Sequence, residues 1–235
     1  MDTLRITFDR GTLRVEAADA VAHELPNVLW DKRTSCFRAS AHRYARVLER
    51  ARELSLEVTD EVAAGSRVVE AGWQRPPLRT YQDDAVSSWR AFGERGIVVL
   101  PTGAGKTRVA VAAAAASGTT CVVLCPTRAL VREWRRELGR WYAGPIGVVG
   151  DGERTIEAVT VMTFESAYRH LDALGARFGM VVCDEVHHFA GGLRSEALEM
   201  CPAPRRLGLT ATAPPFGFLG DERFVELIGP TVCEV

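Results

Sequence analysis

From Leu78 onward the chain alternates short apolar runs with longer stretches of helical period. The runs predict strands at 96–100, 120–125, 146–149, 158–163, 179–183 and 206–210. The stretches between and around them predict helices at 81–92, 106–116, 128–139, 165–174, 193–200 and 222–228. Strand–helix alternation of this kind specifies an α/β fold, a parallel sheet with helices on both faces. The first 60 residues follow a different pattern. Residues 4–8 and 12–15 alternate around Asp9-Arg10-Gly11, a hairpin signal. A further strand is expected near 36–38. Ser40 is placed to cap a helix reaching about Leu54, with Tyr44, Val47, Leu48 and Ala51 on its apolar face. The expected organisation is a small α+β domain at 1–60, a linker at 61–77 closing on Arg75-Pro76-Pro77, and an α/β domain at 78–235.

Composition narrows the function classes. The chain has 235 residues, 47% of them apolar, and a formal net charge of −1. That is enough apolar material for a real core, and it rules out a polycation; contact with nucleic acid must come from local patches. Six cysteines are scattered, several inside apolar runs, which reads as buried reduced thiols rather than a disulfide framework. Cys121 and Cys125 fall on one face of one strand without the tight turn of a zinc knuckle. No apolar stretch reaches about 18 residues and no signal peptide opens the chain, so the expectation is a soluble protein of the prokaryotic cytosol or nucleoid, with no membrane partner.

The densest chemistry is at 101–107, Pro-Thr-Gly-Ala-Gly-Lys-Thr, directly after Ile97-Val98-Val99-Leu100. A buried strand feeding a glycine turn and then a helix points backbone N–H groups and one ammonium at a polyphosphate. Thr102, Gly103, Ala104 and Gly105 form the cradle, the two glycines letting the loop curl with no Cβ in the way. Lys106 reaches the β/γ-phosphates of ATP, and the Thr107 hydroxyl ligates Mg²⁺. Lys106 and Lys32 are the only lysines in a chain that otherwise uses arginine. A compact ammonium is kept where a guanidinium fork does not fit. The general P-loop pattern places Gly where Leu100 stands.

A second strand, Met180-Val181-Val182-Cys183, ends in Asp184-Glu185-Val186-His187-His188. Two carboxylates at a strand end in a P-loop sheet supply Asp184, which holds Mg²⁺ through its water shell, and Glu185, which orients and deprotonates the attacking water. The neighbouring His187 and His188 diverge and have no third ligand, so His187 is read as a relay of nucleotide state rather than a zinc ligand.

These segments resemble, in their proper order, the motifs of superfamily 2 helicases of DExH type. Leu78-Arg79-Thr80-Tyr81-Gln82 looks like the adenine-reading segment, which makes Arg79 and Gln82 candidate nucleotide contacts. Residues 101–107 match motif I in the form that also accounts for Leu100. Pro126-Thr127-Arg128-Ala129-Leu130 resembles motif Ia, Thr163-Phe164-Glu165-Ser166 a later strand-contacting motif, Asp184 to His187 motif II, and Thr210-Ala211-Thr212 motif III, the coupling motif. The resemblance is strongest to the archaeal and bacterial relatives of the XPB helicase. Leu29-Trp30-Asp31-Lys32, Phe37-Arg38-Ala39 and Tyr44 resemble, more loosely, the damage-recognition domain of that group.

The resemblance implies a RecA-like P-loop domain and an ATP-dependent DNA helicase or translocase using ATP and Mg²⁺. It implies DNA, a second RecA-like domain and a repair nuclease as partners. Superfamily 2 motors hydrolyse ATP between two RecA-like domains, so the chain is expected to be an excised N-terminal half or one piece of a split protein, binding ATP and nearly inactive alone. Thr127 and Arg128, with Thr163 and Ser166, are the expected backbone contacts to nucleic acid. Arg33, Arg38, Arg43 and Arg46 are expected to serve the N-terminal domain in the same way, or to form an ordinary solvated helix face; Trp30, Phe37 and Tyr44 are expected in the core. One departure stands out. Where the XPB group carries Arg-Glu-Asp after motif III, this chain has Ala213-Pro214-Pro215-Phe216-Gly217-Phe218. Translocation or remodelling is then as credible as unwinding. The motor of a restriction or phage-defence system, a non-catalytic ATP-binding adapter and an RNA substrate remain alternatives.

Overall fold

The hairpin forms around Arg10 and Gly11, both left-handed at φ 49° and 77°. β1 (Thr3–Asp9) and β2 (Thr12–Glu16) pair antiparallel with Asp9 opposite Thr12, which makes this the two-residue turn that matches strand twist. The computed structural model describes residues 2–63, 68–69, 72–189, 193–212 and 222–235. α1 (Asp19–Glu24), β3 (Leu29–Asp31), β4 (Cys36–Ser40), α2 (Tyr44–Glu53) and β5 (Glu57–Asp60) complete the first unit. Its sheet runs β3-β4-β2-β1-β5, with β5 parallel to β1. Tyr44, Val47 and Ala51 of α2 pack onto Leu4, Ile6, Leu13 and Val15, and Val62 joins the same core. Ser40 does not cap α2: a 3-10 turn, Ala41–Arg43, intervenes and Arg43 is the N-cap, with no side-chain bond.

The second unit comprises α3 (Thr80–Ala91), β6 (Arg95–Val99), α4 (Lys106–Ser117), β7 (Cys121–Cys125), α5 (Arg128–Trp141), β8 (Ile146–Gly150), β9 (Glu153–Thr155), β10 (Val159–Thr163), α6 (Phe164–Leu174), β11 (Met180–Cys183), α7 (Leu193–Glu199), β12 (Arg205–Thr210), α8 (Glu222–Leu227) and β13 (Thr231–Glu234). The sheet order is β13-β6-β12-β11-β7-β10-β8-β9, parallel throughout except for the β8–β9 pair. Alternate residues of one strand serve opposite faces: Val98 and Leu100 meet Trp89, Val109 and Trp134, while Ile97 and Val99 meet Phe164, Phe178 and Leu198. Helices therefore flank the sheet on both sides. Short β9 and β13, at the two edges, extend the sheet beyond the six strands expected.

The two units touch along one seam. Arg43 pairs with Glu226 of α8 at 2.7 Å, and buried His42 lies 3.6 Å from the same carboxylate. Beneath it Arg206 is fully buried and donates to the carbonyls of Ala203, Leu198 and Leu227 at 2.9–3.2 Å, and to that of Cys201. Residues 213–221, including the segment that departs from the XPB pattern, and the side chain of His188 lie outside the described residues. No described helix is long and apolar enough to cross a membrane.

Candidate nucleotide site and nucleic-acid cleft

β6 delivers the chain to the carboxyl end of the sheet, where Leu100 N bonds Thr210 O at 3.0 Å. Gly103 (φ 81°) and Gly105 (φ 85°) are both left-handed. Open space surrounds Gly103, where a Cβ would meet nothing. α4 then begins at Lys106, its first-turn N–H groups aimed at the loop's concavity, an anion site built from backbone. The Lys106 ammonium lies 3.4 Å from Leu100 O and 3.9 Å from Glu185 Oε1. Thr107 follows, partly exposed, on the same turn.

β11 places Asp184 beside this loop. Its Oδ2 accepts from Trp134 Nε1 at 2.8 Å and its Oδ1 from Glu185 N at 3.1 Å. Burial pushes the Asp184 carboxyl above the usual carboxylate range; the Trp134 hydrogen bond opposes that, the Glu185 charge adds to it, and the Lys106 ammonium opposes it. A site built to receive a cation relieves such a carboxylate. Glu185 is left-handed, φ 50°, a conformation that costs a non-glycine residue about 1–3 kcal/mol. The strained backbone leaves Glu185 between two partners: Lys106 on one side, and on the other His187, whose Nδ1 is 3.5 Å from Glu185 Oε2. His187 Nδ1 is in turn 3.1 Å from Thr210 Oγ1, which donates to Thr212 O at 3.0 Å. Lys106, Glu185, His187 and Thr210 thus form one polar chain across the ends of β6, β11 and β12. Ala211 and Thr212 continue from its end.

Gln82 departs from expectation. It is 2% exposed, with Oε1 accepting from Arg79 N at 2.9 Å and Nε2 donating to Ala104 O at 2.7 Å. Tyr81 OH donates to the same carbonyl at 2.9 Å. The amide that was expected to face adenine is turned onto the loop, because Ala104 O has no helical partner and needs donors. The Arg79 guanidinium meets Tyr81 OH at 3.2 Å.

The four expected nucleic-acid contacts come together. Thr127 caps α5, accepting from Leu130 N, and Thr163 caps α6, accepting from Ser166 N at 3.1 Å. With Arg128 and Ser166 they line a cleft of about 410 Å³, onto which two helix N-termini converge. Asp151 lines the same cleft and pairs with Arg132. The arginines of the first unit do not form one patch. Arg38 is drawn in by Asp9 and by Thr12 (2.7 Å), Arg43 is held by Glu226 with the half-exposed Arg46 3.6 Å from the same carboxylate, and Arg33 stays 90% exposed. Trp30 is 51% exposed, edge-on to Phe37 at 5.0 Å, not in the core as expected. Phe37 and Tyr44 are buried.

A family model described as "Type III restriction enzyme, res subunit" matches residues 75–215. A second, "Xeroderma pigmentosum group B helicase damage recognition domain", matches residues 6–62. The chain belongs to the superfamily 2 helicases, related to the XPB helicases. Among curated relatives of this helicase domain, "DNA 3'-5' translocase XPB2" of Sulfurisphaera tokodaii is 33% identical over 207 residues, covering 88% of this chain and 46% of its own length. "DNA 3'-5' helicase XPB" of Mycobacterium tuberculosis is 38% identical over 154 residues, covering 61% of this chain and 27% of its own. The chain thus spans less than half the length of either. Among solved structures, the UvsW helicase of bacteriophage T4 superposes with a TM-score of 0.55 at 16% identity, covering 98% of this chain and 99% of that one. The Sulfolobus solfataricus SWI2/SNF2 ATPase core in complex with dsDNA gives 0.58 at 17% identity, covering 69% of this chain and 38% of that one. At such identities the superpositions establish the fold.

Two features of this helicase domain have no short-range signal. Trp134 lies 50 residues from Asp184, and the Arg43–Glu226 seam spans 183. Only the apolar face of α5, which includes Trp134, is readable from periodicity.

Proposed function

We propose that this chain is the RecA-like, ATP-binding half of an XPB-type DNA translocase or helicase, acting in DNA repair or remodelling. The polar chain from Lys106 through Glu185 and His187 to Thr210 carries the reading, because it joins a phosphate-facing ammonium, a base and the coupling motif at one end of one sheet. The residues present fit a Mg-nucleotide. The glycine loop is open where phosphates approach, and Asp184 holds a buried carboxylate beside it. Thr107 and Asp184 are the metal-holding residues, and Mg²⁺ there serves to neutralise charge on the β- and γ-phosphates. Lys106 holds the γ-phosphate oxygens. Glu185 orients the attacking water and accepts its proton. His187 reports the state of Glu185 to Thr210. Arg79 and Tyr81 border the loop on the side where a base would stack.

Thr127, Arg128, Thr163 and Ser166 hold a DNA backbone without reading sequence. A second RecA-like domain supplies the arginine finger, worth about 10³–10⁵ in rate for P-loop enzymes. The match of residues 6–62 to an XPB damage recognition domain favours an XPB-type motor over a restriction motor. The test is ATPase assay of the chain alone, with the C-terminal half of its gene in trans, and with single-stranded DNA added. Turnover rising at each step supports the motor; turnover flat throughout, with ATP still bound, leaves the adapter reading.

A further inference from the structure

α5 is the element that reaches both sites. Thr127 and Arg128 at its start line the cleft, and Trp134, two turns later and roughly 10 Å along the axis, touches Asp184. The indole is 2% exposed and packed among Val131, Leu138 and the inner sheet face. Its single N–H has one use, the 2.8 Å bond to Asp184 Oδ2. With Glu185 N on Oδ1 at 3.1 Å, the carboxylate is fixed at both oxygens. One donor on each oxygen fixes the plane of the carboxylate and leaves one lone pair per oxygen for a cation, and outer partners of this kind set ligand orientation.

We propose that Trp134 is a positioning residue that aims the metal carboxylate of Asp184 and ties it to the helix lining the nucleic-acid cleft. A strand bound across the N-terminus of α5 tilts or restrains that helix, and the indole passes the change to Asp184 as a change in Mg²⁺ affinity. By linkage, bound Mg-nucleotide strengthens strand binding by the same factor. An indole that only fills the core would be replaced by Phe with no effect on metal. The inference rests on Asp184 being the metal ligand of the proposed motor.

The test is a Mg²⁺ titration of the full chain loaded with a fluorescent, non-hydrolysable ATP analogue, for wild type and Trp134→Phe, with and without an oligo-dT single strand. The expected result is equal Mg²⁺-free nucleotide affinity and a Mg²⁺ midpoint raised about 10-fold in the variant. The oligonucleotide should lower the wild-type midpoint and leave that of the variant unmoved. Equal midpoints in the two proteins overturn the positioning role, and an equal oligonucleotide effect overturns the link to the cleft. A wild type whose nucleotide binding ignores Mg²⁺ overturns the metal assignment of Asp184 itself, and the inference with it. Should the variant not fold, the assigned Trp134 indole N–H resonance of wild type decides. It should shift on adding Mg²⁺ to the nucleotide-loaded protein, and an unmoved resonance overturns the proposal.

Discussion

His187 Nδ1 stands 3.1 Å from Thr210 Oγ1. The Thr210 hydroxyl also donates to Thr212 O at 3.0 Å and accepts from Thr212 N at 3.3 Å, so one side chain joins His187 to the residue two places on. Under the proposed function this contact is the link between the water-activating segment and Thr210-Ala211-Thr212. Thr210→Val keeps shape and burial and removes the hydroxyl with its contacts to His187 Nδ1, Thr212 O and Thr212 N. Nucleotide affinity should stay within about twofold, while DNA-stimulated turnover with the second domain should fall about 2–10-fold, the equivalent of one net hydrogen bond. Steady-state ATPase with and without DNA measures both.

The proposed function gives the neighbours Asp184 and Glu185 separate tasks. Asp184→Asn should weaken Mg²⁺-dependent nucleotide binding. Glu185→Gln should preserve binding and suppress turnover in the two-domain protein, since an amide cannot take the water's proton. Equal effects of the two changes on binding would remove the division of labour.

The arginines of the first unit separate by partner. Arg33→Ala, which frees an exposed side chain from Asp31 alone, should reduce duplex affinity at low salt and lower the salt slope by about 1. Arg43→Ala breaks the seam to Glu226 and should lower the melting temperature with a smaller effect on DNA. Electrophoretic shift across a salt series, beside calorimetry, distinguishes them.

Stability should fall in acid through His42. Burial, then the charges of Arg206, Arg43 and Arg95, push the imidazole down to about 3, opposed only by a backbone hydrogen bond at Glu199. The unfolded chain protonates near the ordinary value of 6.5 and the folded one does not. The native contribution is therefore full above pH 6.5 and is lost as pH falls towards 3, at up to about 1.4 kcal/mol per pH unit. Denaturant melts of wild type and His42→Gln across this range should converge in acid; parallel curves would assign the acid sensitivity elsewhere.

What was legible in the sequence follows from how local the signal is. β6, the glycine loop and α4 are readable because an apolar run, two glycines and a helical alanine stretch sit side by side. Strands β9 and β13 have no such signal: they lie at sheet edges, β9 exposed throughout and β13 half-buried, without a full apolar alternation. The Ser40 cap failed because the chain inserts a 3-10 turn to bring Ala41 and His42 into the seam. Gln82 turned inward for a carbonyl that only the folded loop exposes, and Trp30 outward because β3 is an edge strand with one face uncovered. That Thr127, Arg128, Thr163 and Ser166 line one cleft, and that Trp134 meets Asp184, both depend on which strands are neighbours, which spacing does not reveal.

The central claim is a Mg-ATP site on the 101–107 loop, and calorimetric titration of ATP into the 235-residue chain and its Lys106→Ala variant tests it most directly. Loss of a charge-assisted bond of about 1.5–3 kcal/mol should weaken affinity roughly 10–100-fold, at one site per chain and with an unchanged melting profile. Equal affinity in the two proteins would contradict the account.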